Sequence, residues 1–191
     1  MSQLQQKNME LITAVGRGDV RSLDEAEQMR LSQWAVMTAI VADYFHDKSQ
    51  IFWTREERHA FGATRVISDQ FIVWIGRYNG SKWEGYNHFG RGIQAVRGGQ
   101  LHVTDIGIQS SAWHVLGALF IVGFKSARST EPKFQTYLSL NRNMPTPEIF
   151  PTSKSITIPP AFNDEQTDEL TRIPLKVSRD ESRRMWDAAP E

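Results

Sequence analysis

Across residues 22–46 apolar side chains return every three or four positions, at Leu23, Ala26, Leu31, Trp34, Met37, Val41 and Phe45. That period predicts a helix from about Ser22 to His46 with one buried face. Ser22 and Glu25 have capping-box spacing, in which each side chain satisfies the other residue's backbone N–H. Asp24, Glu25 and Glu27 suit the positive end of the helix dipole. From Trp34 to Phe45 the segment is apolar nearly all round, so the helix is expected to be central and contacted on several sides. A charge at Val36 or Ile40 is then expected to be incompatible with folding.

The segment before it, with Leu4, Met9, Leu11, Ile12 and Val15, also has helical spacing and stops at Gly16-Arg-Gly18. Thr54 and Glu57 form a second capping-box pattern, opening a short helix expected to close near Gly62. The period then changes. Phe71, Trp74, Tyr78, Trp83 and Tyr86 surround Asn79-Gly80, the dipeptide that tolerates positive φ at both centres of a type I′ turn, and this predicts a β-hairpin. Gly90, Gly92, Gly98 and Gly99 punctuate a loop-rich stretch. Leu101 to Ile108 alternates in part. Ala112 to Phe124 is a continuous apolar run whose Val, Ile and Phe content favours a buried strand over a short helix.

After Lys125 the composition shifts to Ser, Thr, Pro and Asn, with apolar islands at Phe134 to Leu140 and Ile149 to Pro151. Ser155 to Pro160 reads as an extended edge, and Asn163 to Gln166 as the cap of a short helix running to about Arg172. Residues 174–191 read as a charged mobile tail with Trp186 as a docking point. The fold class expected is α+β: a central amphipathic helix packed on a mostly antiparallel sheet, with an irregular proline-rich C-terminal region. The organisation expected is an N-terminal helix and turn over 1–21, one domain over 22–173 and the tail.

Composition narrows the functional classes. The 191 residues carry 22 Lys plus Arg and 22 Asp plus Glu, so no global field steers the chain onto nucleic acid or an anionic membrane, and any such binding must be local. The absence of cysteine removes disulfides, thiolate metal sites and a cysteine nucleophile. No apolar run reaches the roughly 18 residues of a membrane span. The first residues have neither a basic nor an apolar leader region, so an intracellular, cytoplasmic protein is expected.

Leu31-Ser-Gln-Trp34-Ala-Val-Met-Thr38-Ala, Phe52-Trp-Thr54-Arg-Glu-Glu-Arg58, Val73-Trp-Ile-Gly76-Arg-Tyr78, Ile149-Phe-Pro151 and Ile158-Pro-Pro-Ala follow in that order. The series resembles the C-terminal accessory region of bacterial and phage proteins of the HNH endonuclease type, over about residues 20–173. An HNH nuclease needs a general-base histidine on a hairpin and a metal-ligating histidine on the following helix. That unit cannot be built here: the Asp-His pair of the motif and Cys-x-x-Cys are both missing, and the stretch before Ser22 is too short for it. The resemblance therefore implies the accessory part without the nuclease.

Catalytic candidates are correspondingly few. Glu56-x-x-His59 has the spacing of half a carboxylate-bridged metal site, although only one copy exists and a solvated first turn is the plainer explanation. His88 lies in Tyr86-Asn-His88-Phe-Gly-Arg91-Gly92, a glycine-rich break where backbone N–H groups and Arg91 could meet a phosphate. Trp74, Arg77, Tyr78, Lys82, Trp83, Tyr86 and Arg91 have the mixture of rings and cations used in stacking on single-stranded nucleic acid, although rings at such positions also serve as core.

The leading expectation is a non-catalytic recognition module for a host protein or nucleic acid, with no cofactor; a phage-encoded inhibitor or effector of host defence would fit the same size. A metal-dependent hydrolase or degenerate nuclease is the second reading. It would use a divalent ion with some of Glu56, His59, His88, Asp105 and His114. A self-associating structural protein, a homo-oligomer burying exposed hairpin residues, is the third.

Overall fold

The computed structural model describes residues 3–43, 53–83, 86–97, 100–127 and 144–172. Within them the fold is α+β. Helix α1 (Gln3–Arg17) is followed by the short strand β1 (Ser22–Asp24), the long helix α2 (Glu25–Asp43) and helix α3 (Arg55–Thr64). Strands β2 (Phe71–Arg77), β3 (Tyr86–Arg97), β4 (Gln100–Val115), β5 (Ala118–Ala127) and β6 (Glu148–Phe150) form an antiparallel sheet in the order β3-β4-β5-β2-β6. Strand β7 (Ser155–Thr157) pairs with β1, and helix α4 (Asp164–Arg172) closes the described chain.

The central helix forms as its periodicity requires, but it starts later than the sequence pattern predicts. Ser22 is in β1, and the reciprocal cap is made two residues on: Glu27 N–H donates to Asp24 Oδ1 at 2.8 Å, and Asp24 N–H to Glu27 Oε2 at 3.0 Å. Pairing of Ser22 with Thr157 takes the first predicted turn of helix into a ladder, so Asp24 caps instead. Residues 44–46 lie outside the described residues. Leu31, Ala35 and Val36 are fully buried against the sheet, together with Ile12 and Val15 of α1. The buried polar residues of α2 clamp β6 and the segment after it: Ser32 Oγ donates to Ile149 O, and Gln28 exchanges hydrogen bonds with the Ser153 backbone.

The Asn79-Gly80 hairpin does not form. Neither residue is in the left-handed region, and β2 pairs with β5 and β6 rather than with β3. The backbone groups a hairpin would use are spent elsewhere: Tyr78 N–H donates to Gly117 O at 2.8 Å and Asn79 N–H to Phe162 O at 3.0 Å. Phe71 to Gly76 are all buried, which is the environment of a strand covered on both faces.

The tight turn lies instead inside the apolar run. Leu116 and Gly117 have φ of 52° and 85°, between the paired Val115 and Ala118. These are the positive angles of a two-residue type I′ connection, so the run is two strands and not one. Leucine is strained in that region and its side chain here is more than half exposed, at 55%. Leu116→Asn is expected to raise stability by about 1 kcal/mol, read as an increased denaturation midpoint in urea at unchanged slope.

The glycine-rich break at residues 86–92 is likewise not a loop. It is the first half of β3, fully paired with β4 from Tyr86↔Trp113 to Gly92↔Gly107, with an irregularity only beyond Gly92. The backbone groups facing β4 are thereby engaged in the ladder, so the stretch is strand where a loop was expected. Helix α3 has the Thr54–Glu57 capping box as read, and runs past Gly62 to a left-handed cap at Arg65, φ 57°. The apolar island at residues 134–140 and the tail at 174–191 lie outside the described residues.

Strands β2 and β5 are covered on both faces. On one face Phe71, Val73, Ile75, Phe120, Val122 and Phe124 meet α1, α2 and α3, with Trp53 stacked on Phe71 and Phe124 at ring distances of 4.6 and 4.4 Å. On the other, Ile72, Trp74, Leu119 and Ile121 are covered by Leu170 of α4, Phe162 and Met144.

Candidate functional site

Three aromatic rings gather where β2 ends and the β4–β5 turn begins. Tyr78 lies 4.4 Å from His114 and 5.9 Å from Trp83, and Trp83 lies 5.5 Å from His114, measured between ring centroids. Tyr78 is buried, Trp83 and His114 are half-buried, and Lys82 beside them is exposed.

Asp164, the first residue of α4, fixes this arrangement. Its Oδ1 accepts from Tyr78 Oη at 2.5 Å and from the N–H groups of Lys82 and Trp83 at 2.8 Å each, and its Oδ2 from Ser81 N–H at 3.2 Å. Successive backbone N–H groups converging on one anion form a nest, here filled by the protein's own carboxylate. Asn163 and Gln166 exchange the reciprocal bonds of a capping box, which sets the helix end that carries Asp164. The loop after β2 is thus folded back onto α4, where a hairpin would have sent it towards Tyr86.

The electrostatics follow from that geometry. The Tyr78 hydroxyl first, then the Lys82 N–H, hold the Asp164 carboxyl far below the usual carboxylate range. Burial and the bond to Asp164 push the Tyr78 phenol up. A carboxyl depressed by folding contributes stability that is complete above its unfolded-state value, about 4, and is lost as pH falls below it. Asp164→Asn is therefore expected to lower Tm at neutral pH by several degrees, with the gap to the parent narrowing as pH falls below about 4 and closing only at the acid extreme, where the depressed Asp164 carboxyl is itself protonated. Thermal scans across acid pH check this; parallel curves would contradict it.

The residues expected to bind from sequence are divided by the structure. Tyr78, Lys82 and Trp83 come together. Trp74 does not: it is fully buried between β5, β6 and the cover of α4, so it is core, as the unbroken burial of β2 demands. Arg77 is half-buried and its Nε donates to Pro159 O at 3.2 Å, tying β2 to the chain before α4. Tyr86 and Arg91 sit on β3; their side chains, with those of His88 and Asp105, lie outside the described residues. His114 and Asp164 are the members that the sequence did not point to as binding residues, His114 having entered only as a candidate metal ligand.

Glu56 and His59 are exposed on α3, remote from the ring cluster. Among the described residues no three His, Asp or Glu come together in a way that could hold a metal ion. No helix among them is long and apolar enough to cross a membrane.

No protein-family model, curated protein or solved structure matches this chain. The polar atoms of Asp164 and the Tyr78 hydroxyl are consumed in holding the loop. What faces outward is an ammonium group and the half-exposed edges of two rings. Such a surface can stack and attract.

Proposed function

We propose that this chain is a non-catalytic recognition module that binds single-stranded nucleic acid at the Trp83–His114–Lys82 surface. The observation that carries the reading is the rigid presentation of two half-exposed rings beside an exposed lysine, held by four hydrogen bonds to Asp164. Bases stack on such rings whatever their sequence, while a lysine meets the phosphate backbone. Pre-forming the surface lowers the ordering cost of binding. Kinship with the accessory region of HNH-type proteins is part of the same proposal.

The test is fluorescence anisotropy of a labelled single-stranded oligonucleotide. His114→Ala is expected to weaken binding by about tenfold, the worth of one stacked ring. Lys82→Glu is expected to weaken it and reduce its salt dependence. Equal affinity in the parent and both variants, or no binding at low salt, overturns the reading. A second reading, self-association, is favoured by one feature: among the described residues nothing pairs with the outer edge of β3, 12 residues long. A monomer at all concentrations in sedimentation excludes it.

A further inference from the structure

Helix α4 docks on the sheet with little apolar contact of its own. Of its residues Asp164 to Arg172, Leu170 alone is apolar, and the other buried side chains are Thr167 and Thr171. A surface helix ordinarily lays a stripe of several apolar residues on its support. The layer beneath α4 is no better matched. Thr167 Oγ1, the Trp74 indole Nε1 and Thr146 Oγ1 are buried there without a hydrogen-bond partner among the described residues. Trp74 packs in one cluster with Leu170, and Thr146 lies over Gly76, two positions along β2 from Trp74. Polar atoms buried unpaired oppose docking.

What ties α4 down is concentrated at its first residue. The chain just before it is anchored on the end of β2, where Phe162 N–H donates to Arg77 O at 2.8 Å and Asn79 N–H to Phe162 O at 3.0 Å. Beyond that pair, Asp164 joins α4 to the 79–83 loop by accepting from Tyr78 Oη and from the N–H groups of Ser81, Lys82 and Trp83. The joint is close-fitting, since a Cβ on Gly80 would lie 2.5 Å from Asp164 Oδ1 and 2.6 Å from the Tyr78 ring. A movement of α4 away from the sheet therefore takes the acceptor of the whole loop with it.

We infer that α4 is a latch that opens together with the 79–83 loop, short of global unfolding, and that the ring surface exists only while the latch is closed. Elements with few buried apolar contacts open at a lower free energy than the core. The regulatory part of the inference rests on the reading of Trp83, His114 and Lys82 as a nucleic-acid surface. A bound strand then holds α4 down, and whatever draws α4 away weakens strand binding by the same factor, because linkage is reciprocal.

The test is hydrogen exchange of the full chain, followed by NMR where reclosing outpaces exchange. Without ligand, the Ser81, Lys82 and Thr167 amides should share one opening constant, about tenfold or more above that of the central strands β2 and β5. Leu170→Ala removes the one apolar contact of α4 and touches no loop amide, yet it should speed Ser81 and Lys82 by the same factor as Thr167, about tenfold or more. A thymidine oligonucleotide at about ten times its Kd should slow all three by about tenfold. Loop amides that keep their rates while Thr167 accelerates, or opening constants equal to those of the central strands, overturn the inference. So does an oligonucleotide that binds and leaves Thr167 unprotected. An oligonucleotide that fails to bind overturns the proposed function instead, and the ligand-free rates still decide whether α4 and the loop open as one.

Discussion

Val36→Asp is expected to abolish folding. Val36 is fully buried on α2, within the cluster that joins α1, α2 and the sheet. A carboxylate there loses its hydration, and none of the apolar groups of that cluster can pair with it. The cost of burying an unpaired charge is about 4 kcal/mol or more, against a total stability of about 5–15 kcal/mol for a domain. The variant should lack a cooperative thermal transition by circular dichroism and should not disperse its amide spectrum. Ile40, 7% exposed near the end of the same helix, should respond in the same direction but less steeply to a charge. A native Tm in Val36→Asp would mean that α2 does not sit where the fold places it.

Gly16→Ala has the second largest expected effect, and its sign runs against helix propensity. Gly16 is near the end of α1, where exchanging glycine for alanine ordinarily stabilises by about 1 kcal/mol. A Cβ at Gly16, however, would lie 2.0 Å from Leu116 O and 2.7 Å from Ala118 N. Both are backbone atoms of the β4–β5 turn, whose Gly117 O also receives Tyr78 N–H. The helix must back away or the turn must open, and a net loss of about 3 kcal/mol is expected. Gly62→Ala on α3 is the internal control. With nothing within 4 Å of its Cβ, it should gain up to about 1 kcal/mol from propensity alone. Urea denaturation of the two variants should therefore move in opposite directions. If Gly16→Ala is neutral, α1 does not dock on the turn.

Those two cases mark how far the sequence carries. The buried face of α2 was legible because its period is local and needs no partner to be recognised. So were the caps at Thr54 and Asn163, since each capping box lies within four residues of chain. The hairpin was not, although its turn dipeptide is favourable. Local propensity at Asn79-Gly80 was outweighed by two partners distant in sequence, Gly117 and Phe162, that took the Tyr78 and Asn79 N–H groups. Strand pairing is decided by such non-local contacts, and period alone does not name the neighbour. The true turn at Leu116-Gly117 was hidden because leucine rarely takes positive φ, so no turn signal interrupts the apolar run.

The candidate site divides along the same line. Two of its rings and its lysine come from one short stretch, 78–83, and were visible as a composition. The residue that arranges them, Asp164, lies more than eighty positions away and reads in sequence only as the acidic first turn of a helix. His114 joins through the register of β4 on β5, which places it opposite Leu119, beside the end of β2. Trp74 has the same ring chemistry as Trp83, yet the structure buries one fully and leaves the other half-exposed.

The central claim is that the loop folded onto Asp164 presents Trp83, His114 and Lys82 to a nucleic-acid strand. It is tested most directly by titrating isotope-labelled protein with a short thymidine oligonucleotide and following assigned side-chain signals. The account predicts saturable shifts at the Trp83 indole N–H, the His114 ring and the Lys82 amide, with the Trp74 indole unmoved. Shifts that leave Trp83 and His114 in place while other surfaces respond, or no shift at all, would contradict it.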